Sequence, residues 1–510
     1  TRGYAMALGA LPVKLLCKPA GRLMEILTCL SDSAKEDKKI SGSPDAETRR
    51  YCVMSLVEIC EKISLTKYFT NNVLVYVLEV LQRASQDYTV DKRGDTGSWS
   101  RIAAIKGTER ILYAGQRHLQ QAGEKVCQYK QSSFGPVLAL DKLESELDSE
   151  SESRFKNIQY PINSLGYVYS SKDADSTSAS AAPVICTERL ATIAPYTSDS
   201  VSTTSDSVVS ETLRNYAQKF VGIVLAQLAE KLDAVREVAG NSLQELLSTK
   251  NHEEIPGIAD RHLIIAAVNN SLATNANANA ASEKSLNDGA TATASDTMTM
   301  TTSYVHWAHP ARVFPILLLI MESKIYFHQL FSGFVIAIGG LSETIVRESS
   351  SALLGFCKSK LKLGNANVNV NDNEYISLLC ESSLSIFTKC SKDDRVIVPL
   401  LKTIDLLLKN SVFERLRPCS HQFLMEMLLL VQKEASSSNN VIKIVLSCDV
   451  IVKFLLFEDP VRGKALKCLI VFLGHKYPRV RKHTAEHLYL QYLSDRYAVG
   501  PSIEDSLQSL

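Results

Sequence analysis

Neither sign of charge prevails in this sequence: 56 Lys and Arg stand against 55 Asp and Glu, a net charge of +1. No global field is available to draw in nucleic acid or anionic lipid. Cysteine never forms a CxxC pair or a tight cluster with His at zinc-ligand spacing, although the chain has 12 of them. Scattered singly from Cys17 and Cys29 to Cys448 and Cys468, they read as free, mostly buried thiols in a reducing cytosol. Long apolar runs are also missing. Phe314 to Met321 and Phe331 to Leu341 are separated by Glu322, Lys324 and His328, and neither reaches the roughly 20 residues of a membrane span. Both read as core helices. Ala5 to Leu16 lacks the cleavage pattern of a signal peptide, and the opening Thr1 and Arg2, in place of Met, read as a cut from a longer chain. No Walker loop, GxGxxG fingerprint, GxSxG elbow or HExxH helix occurs, so phosphate cradling, acyl transfer and zinc hydrolysis lack their most local support.

What is present is helical periodicity. The chain has 510 residues and is 45% hydrophobic, enough to bury a large core. Val73, Val77, Val80 and Leu81 follow an i, i+4, i+7, i+8 pattern, and Leu400, Ile404, Leu407 and Leu408 repeat it. Sustained strand alternation is absent. Ser43, Pro44, Asp45 and Glu47 supply an N-cap, a first-turn proline and acids at a positive helix end, and Asp459 with Pro460 repeats the device. Glu211 to Lys250 reads as a helical hairpin of about 40 residues, the size of a HEAT repeat. Its first helix carries Tyr216, Phe220, Ile223, Val224 and Leu228. After a break near Asp233, the second carries Val235, Ala239, Leu243, Leu246 and Leu247. Val235, Arg236 and the small Ala239 recur loosely as Val346, Arg347 and Ser350, as Val461, Arg462 and Ala465, and as Val480, Arg481, Thr484 and Ala485. A small residue there lets helices approach, and the Arg is expected over the outside of the turn with its charge in water.

The expected fold class is therefore all-α, a HEAT/armadillo-like helical-repeat solenoid with disordered insertions. Helical repeats are expected over 1–140, a Ser/acid-rich flexible insertion over 141–210 and a HEAT-like hairpin over 211–268. An Asn/Ala/Thr-rich linker follows over 269–303, then C-terminal repeats over 304–496 and a tail over 497–510. A smaller polar loop, Gly364 to Asn373, is expected to join two helices.

Few motifs suggest chemistry. Asp95, Thr96, Gly97 and Ser98 spell the D-T-G-S of an aspartic protease, but a dyad needs two such loops and apolar strands around them. One copy, after Asp91, Lys92 and Arg93 and before the helical Trp99 to Leu112, reads instead as a turn capping the next helix. His483 and His487 have a metal-ligating i, i+4 spacing without a nearby Cys or Asp, and read as a solvated helix face; His306 and His309 also pair locally. His475, Lys476, Arg479, Arg481, Lys482 and His483, around Tyr477 and Pro478, form a basic cluster suited to an acidic partner or to a solvated turn. The aromatics Trp307, Phe314, Tyr326, Phe327, Phe331 and Phe334 read as core ahead of contact surface.

Several segments together carry a more specific likeness. Gly3 to Pro12 (GYAMALGALP), Asp87-Tyr88-Thr89 followed by Arg93 to Arg101 (RGDTGSWSR), and Trp307, Pro310, Phe314 and Pro315 are the first of them. Tyr326 with Gly339 to Glu343 (GGLSE), Val398 to Thr403 (VPLLKT) and Pro478 to Ala485 complete the set. This chain resembles the C-terminal half of the tubulin-folding cofactor D family. The resemblance implies a non-enzymatic chaperone that binds β-tubulin and assembles or dismantles the α/β heterodimer. With cofactors C and E it would stimulate GTP hydrolysis by tubulin. It implies an ADP-ribosylation-factor-like small GTPase as a partner, through the family's N-terminal half, and a cytoplasmic location at microtubules. No cofactor, metal or catalytic residue is expected, and no nucleic acid or membrane insertion. The candidate partner contacts are Asp95, Trp99 and Arg101, then Trp307, Glu343 and Lys402, and finally Arg479, Arg481 and Lys482. The alternative is a general HEAT scaffold or transport adaptor for another protein; an enzyme reading rests on Asp95 alone.

Overall fold

The structure, a computed structural model, describes residues 2–35, 45–131, 202–248, 255–270, 305–360, 374–413 and 421–494. The expected linker from 271 onward, most of the Ser/acid-rich stretch, the Gly364 to Asn373 loop and the 497–510 tail lie outside these residues. Two compact units divide the chain, 1–118 with 208–510, and 119–207. The described part of the second unit, 119–131 and 202–207, is helical.

The first unit is all-α apart from one short hairpin among the described residues. Its helices begin with α1 (Arg2–Ala10), α2 (Val13–Cys17), α3 (Arg22–Ala34), α4 (Ala46–Ile63) and α5 (Asn71–Ala84). Strands β1 (Val90–Asp91) and β2 (Gly94–Asp95) pair antiparallel, Val90 opposite Asp95. Next come α6 (Gly97–Gln131), α7 (Ser202–Leu228), α8 (Asp233–Leu247) and a helix over 261–270, α9. The remainder is α10 (Pro310–Ile320), α11 (Phe327–Ile338), α12 (Glu343–Lys360), α13 (Glu374–Lys389), α14 (Asp394–Lys409), α15 (His421–Ser436), α16 (Val441–Lys453), α17 (Val461–Leu473) and α18 (Pro478–Ser494).

Repeat packing is visible in which helices touch. From α13 onward each helix packs on the next but one, and each except α14 also packs on its successor, giving one layer of α13, α15 and α17 and another of α14, α16 and α18. Helix α11 continues the second layer against α14. Each hairpin thus buries its apolar stripe against its neighbours, the logic of a helical-repeat array. The periodic residues named above are the ones buried: Val73, Val77, Val80 and Leu81 on α5, and Leu400, Ile404, Leu407 and Leu408 on α14. Trp307, Phe314, Tyr326, Phe327, Phe331 and Phe334 are core residues, none more than 1% exposed. The centre of α11 passes so close to α7 that a Cβ on Gly333 would stand 2.7 Å from the Ala226 carbonyl oxygen.

Four local expectations change. Helix α7 begins at Ser202, inside the stretch read as an insertion. Asp45 rather than Ser43 caps α4, its carboxylate accepting from the Thr48 amide at 2.6 Å. Arg236 does not reach water: its guanidinium is wholly buried, donating to the Glu230 and Ala308 carbonyls and pairing with Asp233. Burial pulls its pKa below the ordinary guanidinium value. At the Val346 copy the buried small residue is Ser349, not Ser350, and Arg347 stays exposed. In the other copies the Arg roofs the preceding turn, Arg462 donating to the Leu455 and Phe457 carbonyls and Arg481 to those of His475 and Lys476. Carbonyls left over at one helix end are thereby satisfied by the start of the next.

Candidate functional site

The most specific sequence block, Asp87 to Arg101, folds into a buried charge network. Left-handed Gly94 (φ +103°) closes the tight β1–β2 turn. Gly97 lets the chain come back over Asp87, where a Cβ would lie 2.2 Å from the Asp87 carbonyl oxygen. Asp95 then caps α6, accepting from the Ser98 amide at 3.2 Å, while the Ser98 hydroxyl donates to the Asp95 carbonyl.

Arg101, with no exposed side-chain surface, sits at the centre. It donates to the Asp87 carbonyl at 2.7 Å and grips both Asp95 carboxylate oxygens at 3.2 and 3.1 Å, a bidentate pair. Glu230, from the α7–α8 turn, stands 3.7 Å away, and the Tyr88 ring lies under the guanidinium with its centroid 4.3 Å off. The Asp87 carboxylate accepts from Thr89 and pairs with buried Arg49 of α4 at 3.0 Å. Gln227 of α7 donates to the Tyr88 hydroxyl at 2.9 Å. Burial first, and then the Glu230 charge, push that phenol up to about 12. Arg395, at the start of α14, donates to the Tyr88 carbonyl at 2.7 Å. One short block therefore ties α4, α6, the α7–α8 turn and α14 together. Asp95 engages Arg101 and an amide, an arrangement for holding helices in place.

The remaining candidate residues fall into separate places. Trp99 is half-buried and carries the Arg93 guanidinium 5.1 Å from its ring centroid. Trp307 is buried against Gly240, its ring N–H donating to Gln244 at 2.9 Å. Lys402 reaches the Gly339 carbonyl at 3.2 Å, in the turn before exposed Glu343; Leu341 of that turn is 99% exposed. Arg479, Arg481 and Lys482 are all exposed on the first turns of α18. Exposed Ile470 and Val471 on α17 and Tyr489, Leu490 and Leu493 on α18 accompany them. The structure thus brings Asp95 to Arg101 and groups the three C-terminal cations, while Trp307, Glu343 and Lys402 stand apart. Arg49, Gln227, Glu230 and Arg395, which complete the network, carry no local signal: three are ordinary helix residues, Glu230 lies in a helix–helix turn, and all are far along the chain from the block they serve.

These features define a helical-repeat protein whose most specific motif is an internal tie and whose polar faces are open at the chain's helical turns. Residues 218–443 match the family model described as tubulin folding cofactor D C terminal. That stretch, which includes Trp307, Glu343 and Lys402, is similar to the C-terminal region of cofactor D. Among solved structures, a chain from a study titled "Kap95p Binding Induces the Switch Loops of RanGDP to adopt the GTP-bound Conformation: Implications for Nuclear Import Complex Assembly Dynamics" is 11% identical with a TM-score of 0.25. The match covers 100% of this chain and 51% of that one, so this chain spans about half its length. At that score the likeness carries no argument.

Proposed function

We propose that this chain is a tubulin-handling module that binds β-tubulin by surface contact during assembly and disassembly of the α/β heterodimer. It acts with cofactors C and E to stimulate GTP hydrolysis by tubulin, supplies no catalytic residue of its own, and works in the cytoplasm at microtubules. An ADP-ribosylation-factor-like small GTPase is a further proposed partner. The observation that carries this reading is the cofactor D match over 218–443. Exposed cations at the start of α18 and exposed apolar side chains elsewhere on α17 and α18 support it, because the first suit an acidic client by charge and the second by area to bury. The deciding experiment is capture of native tubulin on this chain at low and moderate salt, with GTP turnover followed after cofactors C and E are added. Capture that weakens as salt rises, with turnover only in the presence of the other cofactors, is expected. No capture at any salt overturns the reading and leaves a helical-repeat scaffold for another client.

A further inference from the structure

On α18, His483 and His487 stand one turn apart, and α16 brings Asp449 against both. Asp449 Oδ1 lies 2.6 Å from His483 Nε2 and 3.0 Å from His487 Nδ1. The two rings stack with centroids 3.9 Å apart, and one ligand atom from each of the three residues falls within 4.8 Å of the others. The acid that sequence reading found missing beside this histidine pair therefore comes from 34 residues upstream.

Two imidazoles and one carboxylate are the donor set of a three-ligand zinc site with its remaining positions left to water. We propose that Asp449, His483 and His487 form a binding site for a divalent cation of the Zn²⁺ type, which clamps α16 to α18. Adjacent residues fix the register of the two helices. Buried Thr484 donates to the Val480 carbonyl at 2.8 Å and accepts from the Cys448 thiol at 3.3 Å. The entry path is open, since the three side chains are 16%, 23% and 39% exposed for Asp449, His483 and His487.

Without metal, the two ring nitrogens facing Oδ1 must carry hydrogen to bond at these distances. Metal binding requires a lone pair on each, so the hydrogen on each of those two nitrogens must leave it as the metal enters. Bonds of about 2.1 Å in tetrahedral geometry would separate the ligand atoms by about 3.4 Å, a small opening from the present contacts. Lys453, which reaches the Asp449 carbonyl at 3.5 Å, and Lys409 both pair with Asp405, at 3.0 and 2.6 Å. Four charges of alternating sign thus cancel around the site, which holds its affinity below that of a closed four-ligand cage. Glu486, between the two histidines in sequence, pairs with Lys482 at the surface. The site is accordingly a structural clamp without a general base of its own.

The test titrates Co²⁺ into the full chain, with Zn²⁺ as competitor, and repeats it on Asp449→Asn and His487→Gln. One equivalent of Co²⁺ should bind with visible d–d bands and without a thiolate charge-transfer band, Zn²⁺ should displace it, and the melting temperature should rise with metal. Each substitution should weaken binding at least about tenfold. His487→Gln is the safer variant, because its partly exposed side chain can change without opening the core, and metal-free melting of each variant reports folding separately. Unchanged affinity in His487→Gln, or a thiolate band from a group such as exposed Cys29, overturns the proposal.

Discussion

Arg101 shows how little a residue's neighbours in sequence reveal of its work. The block around it is specific enough to suggest a family, and a surface contact is the natural expectation for conspicuous Asp, Trp and Arg residues. In the structure the guanidinium is buried between Asp95, Glu230 and Tyr88. Arg101→Ala would leave two acids without their cation and should cost about 3–5 kcal/mol in urea unfolding. Arg101→Lys, which keeps the charge and loses the fork, should fall between. Burial raises the Asp87 carboxyl, but hydrogen bonds from Thr89 and the Arg49 guanidinium outweigh it and hold it below the ordinary 3.8. Its stabilising contribution is therefore complete above that ordinary value and lost as pH falls through the lower folded one. Asp87→Asn should lower stability at neutral pH and flatten the decline as pH falls below the ordinary carboxylate value, read from unfolding midpoints against pH. Thiol chemistry separates as clearly. Burial pushes Cys60, Cys357, Cys380 and Cys448 up to about 12, whereas Cys29 is exposed. Among the described cysteines, Cys29 should react first with maleimide on the native chain, and peptide mapping after brief labelling checks this.

At the scale of the helix, the 3.6-residue period was enough to locate α5, α8 and α14, because burial of one stripe is what made those segments helical. Boundaries were less legible. Ser202 to Ser210 carries few large apolar side chains, so the start of α7 gave no periodic signal, although Val209 is buried. The recurrent Arg was legible and its surroundings were not, since whether a guanidinium meets water depends on the helix laid over it. Ala308, which covers Arg236, is 72 residues away. Close helix approaches make a paired prediction. Alanine is the better helix former by up to about 1 kcal/mol, and a Cβ at Gly355 of α12 would meet nothing within 4 Å. Gly355→Ala should raise the melting temperature slightly. Gly333→Ala should lower it, because its Cβ must push α7 away from α11. Equal shifts in the two variants would show that the α7–α11 crossing is looser than described.

Over the whole molecule, net charge says little and its distribution says more. Buried pairs such as Lys443 with Glu434, at 2.5 Å, and Arg49 with Asp87 are shielded from salt, while the cations at the start of α18 are open to it. Reversing Arg479 and Lys482 together to Glu, leaving Arg481 on its two carbonyls, should keep the unfolding stability within about 0.5 kcal/mol per position, as surface changes do. It should sharply reduce tubulin capture at low salt. Retained capture would move the contact to another face. The candidate contact surface is the least legible level of all, because which helix turns stay exposed depends on how every hairpin packs against its neighbours.

The bond from Arg395 to the Tyr88 carbonyl joins positions 307 residues apart. On a ribosome that distance becomes time, about 15–60 s at ordinary rates of synthesis. Arg49 and Asp87 are made first, Gln227 and Glu230 arrive next, and Arg395 comes last. Over that interval the nascent chain carries the network partly closed, with the Tyr88 carbonyl awaiting a partner not yet translated.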